Sequence, residues 1–197
     1  MAIRTASGLF FEANGVPAPV TTASLSQVSQ EVRWSPHPSH FFKVNVDASW
    51  SLSSSSDFVG VVIRAKRGIF VAARREPNSA PSAATAEALA LVQGYELTAE
   101  LGLGCIIVES DFKDSISALS FSLETGRWEA FPTLTVAKRF GKSFQDCRWT
   151  WVPRSANRAA DLLASRLCTE MCNFYWVIRP PSSLVHVLDK DGLPCPP

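Results

Sequence analysis

The period of the apolar pattern in this 197-residue chain first lengthens at Pro81, where a run of strands gives way to a long helix, and that change constrains the fold more than any other feature. Before it, Phe42, Val44 and Val46 alternate with Lys43, Asn45 and Asp47, which reads as a strand with one buried face. A polar turn, Ser51 to Asp57, follows. Then Val59–Arg64 and Ile69–Arg74 flank the connection Ala65-Lys-Arg-Gly68, a β-hairpin that completes a three-strand meander. After Pro81 the period lengthens. Pro81 and Ser82 open a helix from Ala83 to about Leu101, apolar through Ala86, Leu89, Leu91 and Leu97 and stopped by Gly102 and Gly104. Cys105–Glu109 is a short β-branched run. Phe112–Leu123 and Arg127 to about Phe144 are helical, the second less regular with Pro132 near its start. Cys147–Val152 is a further strand, and Asn157 to about Cys172 is a closing helix. Strand and helix in alternation make parallel sheet units, so the fold class is α/β.

The flanks differ from this middle. Residues 1–40 are rich in Ser, Ala, Thr and Pro and show no sustained period, which reads as a flexible tail or linker. Residues 173–197, with Pro180, Pro181 and a Pro-rich end, read as a loosely attached C-terminal tail. One domain over 41–172 remains, and no internal repeats are present.

Bulk properties exclude some classes. An apolar fraction of 46% is that of a soluble globular chain, and 19 basic against 18 acidic residues leave a net charge of +1, too weak a field to announce nucleic acid. Five cysteines, odd in number and without histidines at zinc spacing, read as reduced thiols. No run approaches the roughly 18 apolar residues of a membrane span. Glu12 and Pro17 interrupt any secretory core. The expectation is a monomer that is intracellular, nuclear or cytoplasmic, not secreted and without a membrane.

Four carboxylates stand out against this background: Asp47 ending the first strand, Glu87 one turn into the first helix, Asp111 ending the fourth strand, and Asp161 in the first turns of the last helix. Singly, each has an ordinary reading. Asp111 suits a helix N-cap, Asp161 suits a helix's positive end, Glu87 an exposed helix face and Asp47 a turn. Together they point elsewhere. Ligands of open α/β sheets gather at the carboxyl ends of strands, and like charges gathered in a low-dielectric site call for a hard divalent cation.

Four stretches now carry a resemblance: Lys43-Val-Asn-Val-Asp-Ala48, Thr85-Ala-Glu-Ala-Leu-Ala90, Val108-Glu-Ser-Asp-Phe112 and Asn157-Arg-Ala-Ala-Asp-Leu-Leu-Ala164. In this order they resemble the signature motifs of type 1 ribonuclease H domains. The lead-in Trp34-Ser-Pro-His-Pro38 is similar to that of the plant non-LTR retrotransposon, reverse-transcriptase-associated branch. The resemblance implies a ribonuclease H-like fold with a five-stranded mixed sheet, order 3-2-1-4-5, strand 2 antiparallel. It implies Asp47, Glu87, Asp111 and Asp161 as catalytic, metal-binding residues for two Mg²⁺ ions, with Mn²⁺ as a substitute, hydrolysing the RNA strand of RNA–DNA hybrids. Ala48, Ser49, Thr85 and Ala86 are placed to meet the minor groove and its 2′-hydroxyls, with a turn-capping role open for Ser49. Asn157 and Arg154 complete the substrate-side set.

One departure bears on activity. Cellular members carry a His in a loop before the last motif, whereas no His lies between Phe41 and Cys172 here, and Arg154 stands near the vacant place, either binding phosphate or solvated. Lys138, Arg139 and Lys142, with Arg127 and Trp128 nearby, read first as a solvated face and second as phosphate contacts. Trp149 and Trp151 read as core or sheet-face residues, and Trp50 as the better surface contact. The rival functions are a nucleic-acid-binding module derived from a retroelement, with little or no turnover, and an interaction scaffold.

Overall fold

A computed structural model describes residues 32–37, 40–53, 57–165 and 174–191. In chain order the elements are β1 (Phe42–Ala48), β2 (Asp57–Arg64), β3 (Phe70–Asn78), α1 (Ala83–Glu100), β4 (Cys105–Ser110), α2 (Lys113–Ser120), α3 (Phe131–Gly141), β5 (Asp146–Trp151), α4 (Arg158–Ala164), β6 (Tyr175–Val177) and α5 (Ser182–Lys190). The sheet order is β5-β4-β1-β2-β3-β6. β1 pairs antiparallel with β2 and parallel with β4, β2 pairs antiparallel with β3, and β4 pairs parallel with β5. The expected five-strand order is therefore present, with a sixth strand added at its outer edge. Among the described residues no helix is long and apolar enough to cross a membrane.

Strand alternation sorts the layers. Val44 and Val46 of β1, Val61 and Ile63 of β2, and Ile106 and Val108 of β4 join Leu91 and Leu97 of α1 and Leu134 of α3 in the larger core. Val62, Phe70 and Ala73 join Leu163 of α4, Leu184 and Leu188 of α5, and Trp34 in a second core. β1 thus has two buried faces, not the single one its pattern suggests. Lys43, Asn45 and Asp47 are all less than a tenth exposed. Charge pairing makes this tolerable: Lys43 Nζ lies 2.6 Å from Glu109 Oε1, and Asn45 Nδ2 donates to Glu109 Oε2 at 3.0 Å.

Two glycines set the spacing of the helices. A Cβ on Gly60 would stand 2.4 Å from the Ala160 carbonyl oxygen and 2.6 Å from the Ala164 nitrogen, so only glycine lets α4 lie this close to β2. On the other side, a Cβ on Gly94 would stand 2.8 Å from Val46 Cγ1, so α1 lies close over β1. Helix ends depart from the sequence expectations mainly by being shorter. α2 ends at Ser120, α3 begins at Phe131, and α4 is described only to Ala164, the rest of the expected closing helix lying outside the described residues.

Both flanks contribute structure that their proline content concealed. Trp34, in the segment read as a linker, is 4% exposed and its ring lies against the guanidinium of Arg64, with Arg64 Cζ 3.7 Å from the ring centroid. Arg64 is itself fully buried. It donates from Nη2 to Asn45 Oδ1 at 2.8 Å and from Nη1 to Asp191 Oδ2 at 2.8 Å. Residues 174–191, read as tail, supply β6, antiparallel to β3 through Ala72↔Val177 and Arg74↔Tyr175, and α5, whose Leu184 and Leu188 enter the second core. The prolines delimit these elements: Pro181 is the N-cap of α5. Residues 1–31, together with Cys168, Cys172 and Cys195, lie outside the described residues; Cys105 and Cys147 are free thiols.

Candidate active site

Parallel pairing of β1 and β4 aligns Asn45 with Glu109. Two residues further along each strand, Asp47 and Asp111 stand at the same edge of the sheet. Asp111 does not cap α2: the N-cap position is Phe112, with no side-chain cap bond. Asn157, at the foot of α4, joins the two strands. Its Nδ2 donates to the Val46 carbonyl at 2.9 Å and to Asp111 Oδ1 at 3.1 Å, while its Oδ1 accepts from Asn45 at 3.2 Å. α4 then presents Asp161 to the same edge. Ser82 caps α1 by accepting from the Thr85 amide at 3.2 Å, which sets the start of the helix that carries Glu87 over the edge from the other face.

The charges of these four carboxylates bear on one another. Burial, then the charges of Asp111 and Asp161, push the Asp47 carboxyl up to about 8 from an ordinary 3.8. Burial, then the charge of Asp47 and, more weakly, those of Asp111 and Asp161, push Glu87 well above its usual range. Arg154 opposes both shifts. Its Nη2 lies 2.5 Å from Asp161 Oδ1, and that contact, together with the nearby carboxylates, raises the guanidinium's own affinity for its proton. Glu87 is not the exposed helix residue it resembles when taken alone, since its Oε2 is buried and has no hydrogen-bond partner.

These features bear on a cation. The donors are all oxygen, the four carboxylates have one arginine among them as counter-charge, and one buried carboxylate oxygen is unpartnered, so the residues fit a hard divalent ion. Among the described residues no three carboxylates form a ready-made cage. Arg154 engages Asp161 and Asn157 engages Asp111.

Beside the cluster lies an open cleft of about 470 Å³, lined among others by Asp47, Ala48, Ser49, Trp50, Arg154 and Asp161. Ala48 ends β1 at its rim. The Ser49 hydroxyl accepts from the Phe58 amide at 2.8 Å, so it joins the strands as a turn cap would. Thr85 is buried and faces inward: Oγ1 donates to the Glu129 carbonyl at 3.2 Å. Ala86 is fully buried. Asn157 is likewise fully buried and orients Asp111. Of the six residues expected on the substrate side, Ala48, Ser49 and Arg154 line the cleft, whereas Thr85, Ala86 and Asn157 are interior.

Three contributors escaped sequence reasoning. Asn45 shares the strand face of Asp47, and its period-2 relation to that residue was the available signal. Gly60 is the cross-strand partner of Asp47, a relation that register alone reveals. Trp151, read as a core or sheet-face residue, is 47% exposed and donates from Nε1 to the Asp111 carbonyl at 3.0 Å. Trp149, by contrast, is half-buried and donates to the Tyr95 hydroxyl at 2.7 Å, as a core residue does.

Comparison with known proteins agrees with this layout. The fold is that of a ribonuclease H1 from the halophilic archaeon Halobacterium salinarum, 24% identical, with a TM-score of 0.58 over 63% of this chain and 94% of that one. The N-terminal ribonuclease H domain of a Mycobacterium tuberculosis protein is 21% identical, with a TM-score of 0.59 over 66% and 94%. The ribonuclease H1 known as LC11, solved with an RNA/DNA hybrid, is 15% identical, with a TM-score of 0.56 over 62% and 92%. A search of curated protein sequences finds no match. Residues 45–167 match the reverse transcriptase-like family over more than half of the sequence, and they span all four carboxylates. The chain therefore belongs to the reverse transcriptase-like family, and its described residues have the ribonuclease H-like fold.

Proposed function

We propose that this domain is a metal-dependent endoribonuclease that cuts the RNA strand of RNA–DNA hybrids. The observation that carries the reading is the convergence of Asp47, Glu87, Asp111 and Asp161, from four separate elements, into one charge cluster whose most buried members, Asp47 and Glu87, are pushed above the usual carboxylate range by burial and by neighbouring carboxylates. Asp47, Glu87, Asp111 and Asp161 would hold two Mg²⁺ ions, or Mn²⁺ in their place. When bound, such a pair activates a water and stabilises the leaving 3′ oxygen. The chain's own groups supply position. Asn157 fixes the Asp111 carboxylate against β1, Gly60 sets the approach of Asp161, and Arg154 balances charge at the mouth of the cleft. Trp50 and Trp151 flank the carboxylate edge as apolar walls for the substrate. The four motifs and the Trp34 lead-in support a place in the plant non-LTR retroelement branch, acting as a monomer in the nucleus or cytoplasm.

A second reading is favoured by the Arg154–Asp161 pair, which occupies a carboxylate that the metal chemistry needs. On that reading the domain binds hybrids without turning them over. Labelled hybrid incubated with protein and Mg²⁺, beside duplex DNA and single-stranded RNA, separates the two. Hybrid-specific cutting lost in both Asp47→Asn and Asp111→Asn supports the enzyme; binding without cutting, at any Mg²⁺ or Mn²⁺ concentration, overturns it.

A further inference from the structure

A second cleft borders the single turn Arg154–Ala156. It encloses about 120 Å³ between the Trp34 lead-in, α4 and α5, and its charged lining is Arg33, Arg158, Lys190 and Asp191, with Ser155 and His186. Its charge is one-sided. Among the described residues Asp191 is the sole acid of the lining, and its carboxylate faces three guanidiniums, those of Arg64, Arg33 and Arg158. Asp191 Oδ2 is already held by the buried Arg64. Lys190 adds a further cation at the end of α5. A chain whose total net charge is +1 thus concentrates three cations on one small concavity, where Arg33 also donates to the Lys190 carbonyl at 3.3 Å. Like charges held this close repel unless an anion joins them, and arginine forks match phosphate oxygens.

The two clefts share a rim. Arg154 lines the carboxylate cleft and its neighbour Ser155 lines the basic one. Within α4, Asp161 belongs to the first cleft and Arg158, one turn earlier, to the second. A strand lying across the carboxylates and over this rim would bring a backbone phosphate to the basic cleft.

We propose that the cleft formed by Arg33, Arg158, Lys190 and His186 is a phosphate subsite that grips the nucleic-acid backbone away from the point of cleavage. It rests on the hybrid-binding reading above. It also gives the lead-in and α5 a role in substrate grip besides covering the second core. Contacts of this kind contribute affinity without sequence preference and make it salt-dependent.

Two measurements on the full chain, both metal-free so that nothing is cut, decide it. In the first, the His186 ring resonances are followed by NMR as inorganic phosphate is added. A saturable shift is expected, and it should vanish in the double variant Arg33→Ala/Lys190→Ala. In the second, fluorescence anisotropy of a labelled hybrid is read across a salt series. The double variant should bind about 3- to 10-fold more weakly than the parent, with the slope of log affinity against log salt reduced by about one to two. A control that removes two cations elsewhere, Lys66→Ala/Arg67→Ala in the β2–β3 connection, should change affinity less than about twofold. Unchanged hybrid affinity in the cleft variant, or an equal loss in the control, overturns the subsite even if phosphate moves His186. A parent protein that binds no hybrid at all sinks the functional reading instead, and a His186 resonance that phosphate leaves unmoved then sinks the cleft as well.

Discussion

Two sets of charged residues meet at β1, and they are handled in opposite ways. Lower on β1 and β2, Lys43 meets Glu109, Arg64 meets Asp191, and Asn45 bonds to both Glu109 and Arg64. At the strand ends Asp47, Glu87, Asp111 and Asp161 crowd together with one exposed arginine for relief. The two sets touch through Asn157, which bonds to Asn45 on one side and Asp111 on the other. A paired set holds architecture. A set of four carboxylates with a single arginine among them has no stabilising use of its own and stores charge for a ligand, and this difference between neighbouring regions is the best guide to where the chemistry lies.

Breaking the paired set should cost most. Arg64→Met strands Asp191 and Asn45 in the interior, and urea denaturation should show a loss of about 3–5 kcal/mol. Relieving the unpaired set should do the reverse. Asp47→Asn is expected to abolish hybrid cutting while raising the metal-free protein's stability at pH 8 by about 2 kcal/mol, a gain that a paired carboxylate would not give.

The same contrast has a pH signature. The Asp47 carboxyl titrates near 8 in the folded chain and near 3.8 unfolded, so the folded state holds the extra proton between those values. Its contribution to stability is complete below about 3.8 and is lost as pH rises towards 8. The melting temperature of the metal-free protein should therefore fall between pH 5 and pH 8, and Mg²⁺ should flatten the fall. A melting temperature that holds or rises over that window would place Asp47 among the paired residues. Asn157→Ala, at the junction, should cost about 1–3 kcal/mol and raise the Mg²⁺ concentration needed to restore stability at pH 8. The smallest effect belongs to Arg154→Ala, which leaves the fold intact and lowers the Mg²⁺ concentration that protects against heat at pH 8, because Asp161 is released.

Much of this was legible in sequence because it is local. Three strands, the Ser82-capped α1 and the placing of Asp47 and Asp111 at strand ends follow from period, caps and stops. The parallel β1–β4 pairing follows from the alternation after Pro81. What was not legible depends on partners distant in the chain. Lys43 and Asn45 look like a solvent face until Glu109 and Asn157 arrive from other elements. Gly60 looks like a weak spot in a strand until α4 lies on it. Trp34, Arg64 and Asp191 carry no periodic signal, since each is buried through a neighbour more than 25 positions away. The interior places of Thr85, Ala86 and Asn157 likewise depend on neighbours supplied by the fold, which a motif does not display.

The short β6 has a consequence for anyone handling this protein. It covers Ala72–Arg74 of β3, which would otherwise be the outer strand of the sheet with open backbone donors and acceptors. A fragment cut where the family match ends, at residue 167, loses β6 together with α5 and Asp191. It leaves a strand edge free to recruit a copy of itself while Arg64 loses its counter-charge. Such a fragment should self-associate, so the minimal well-behaved unit extends past the motifs to at least Asp191.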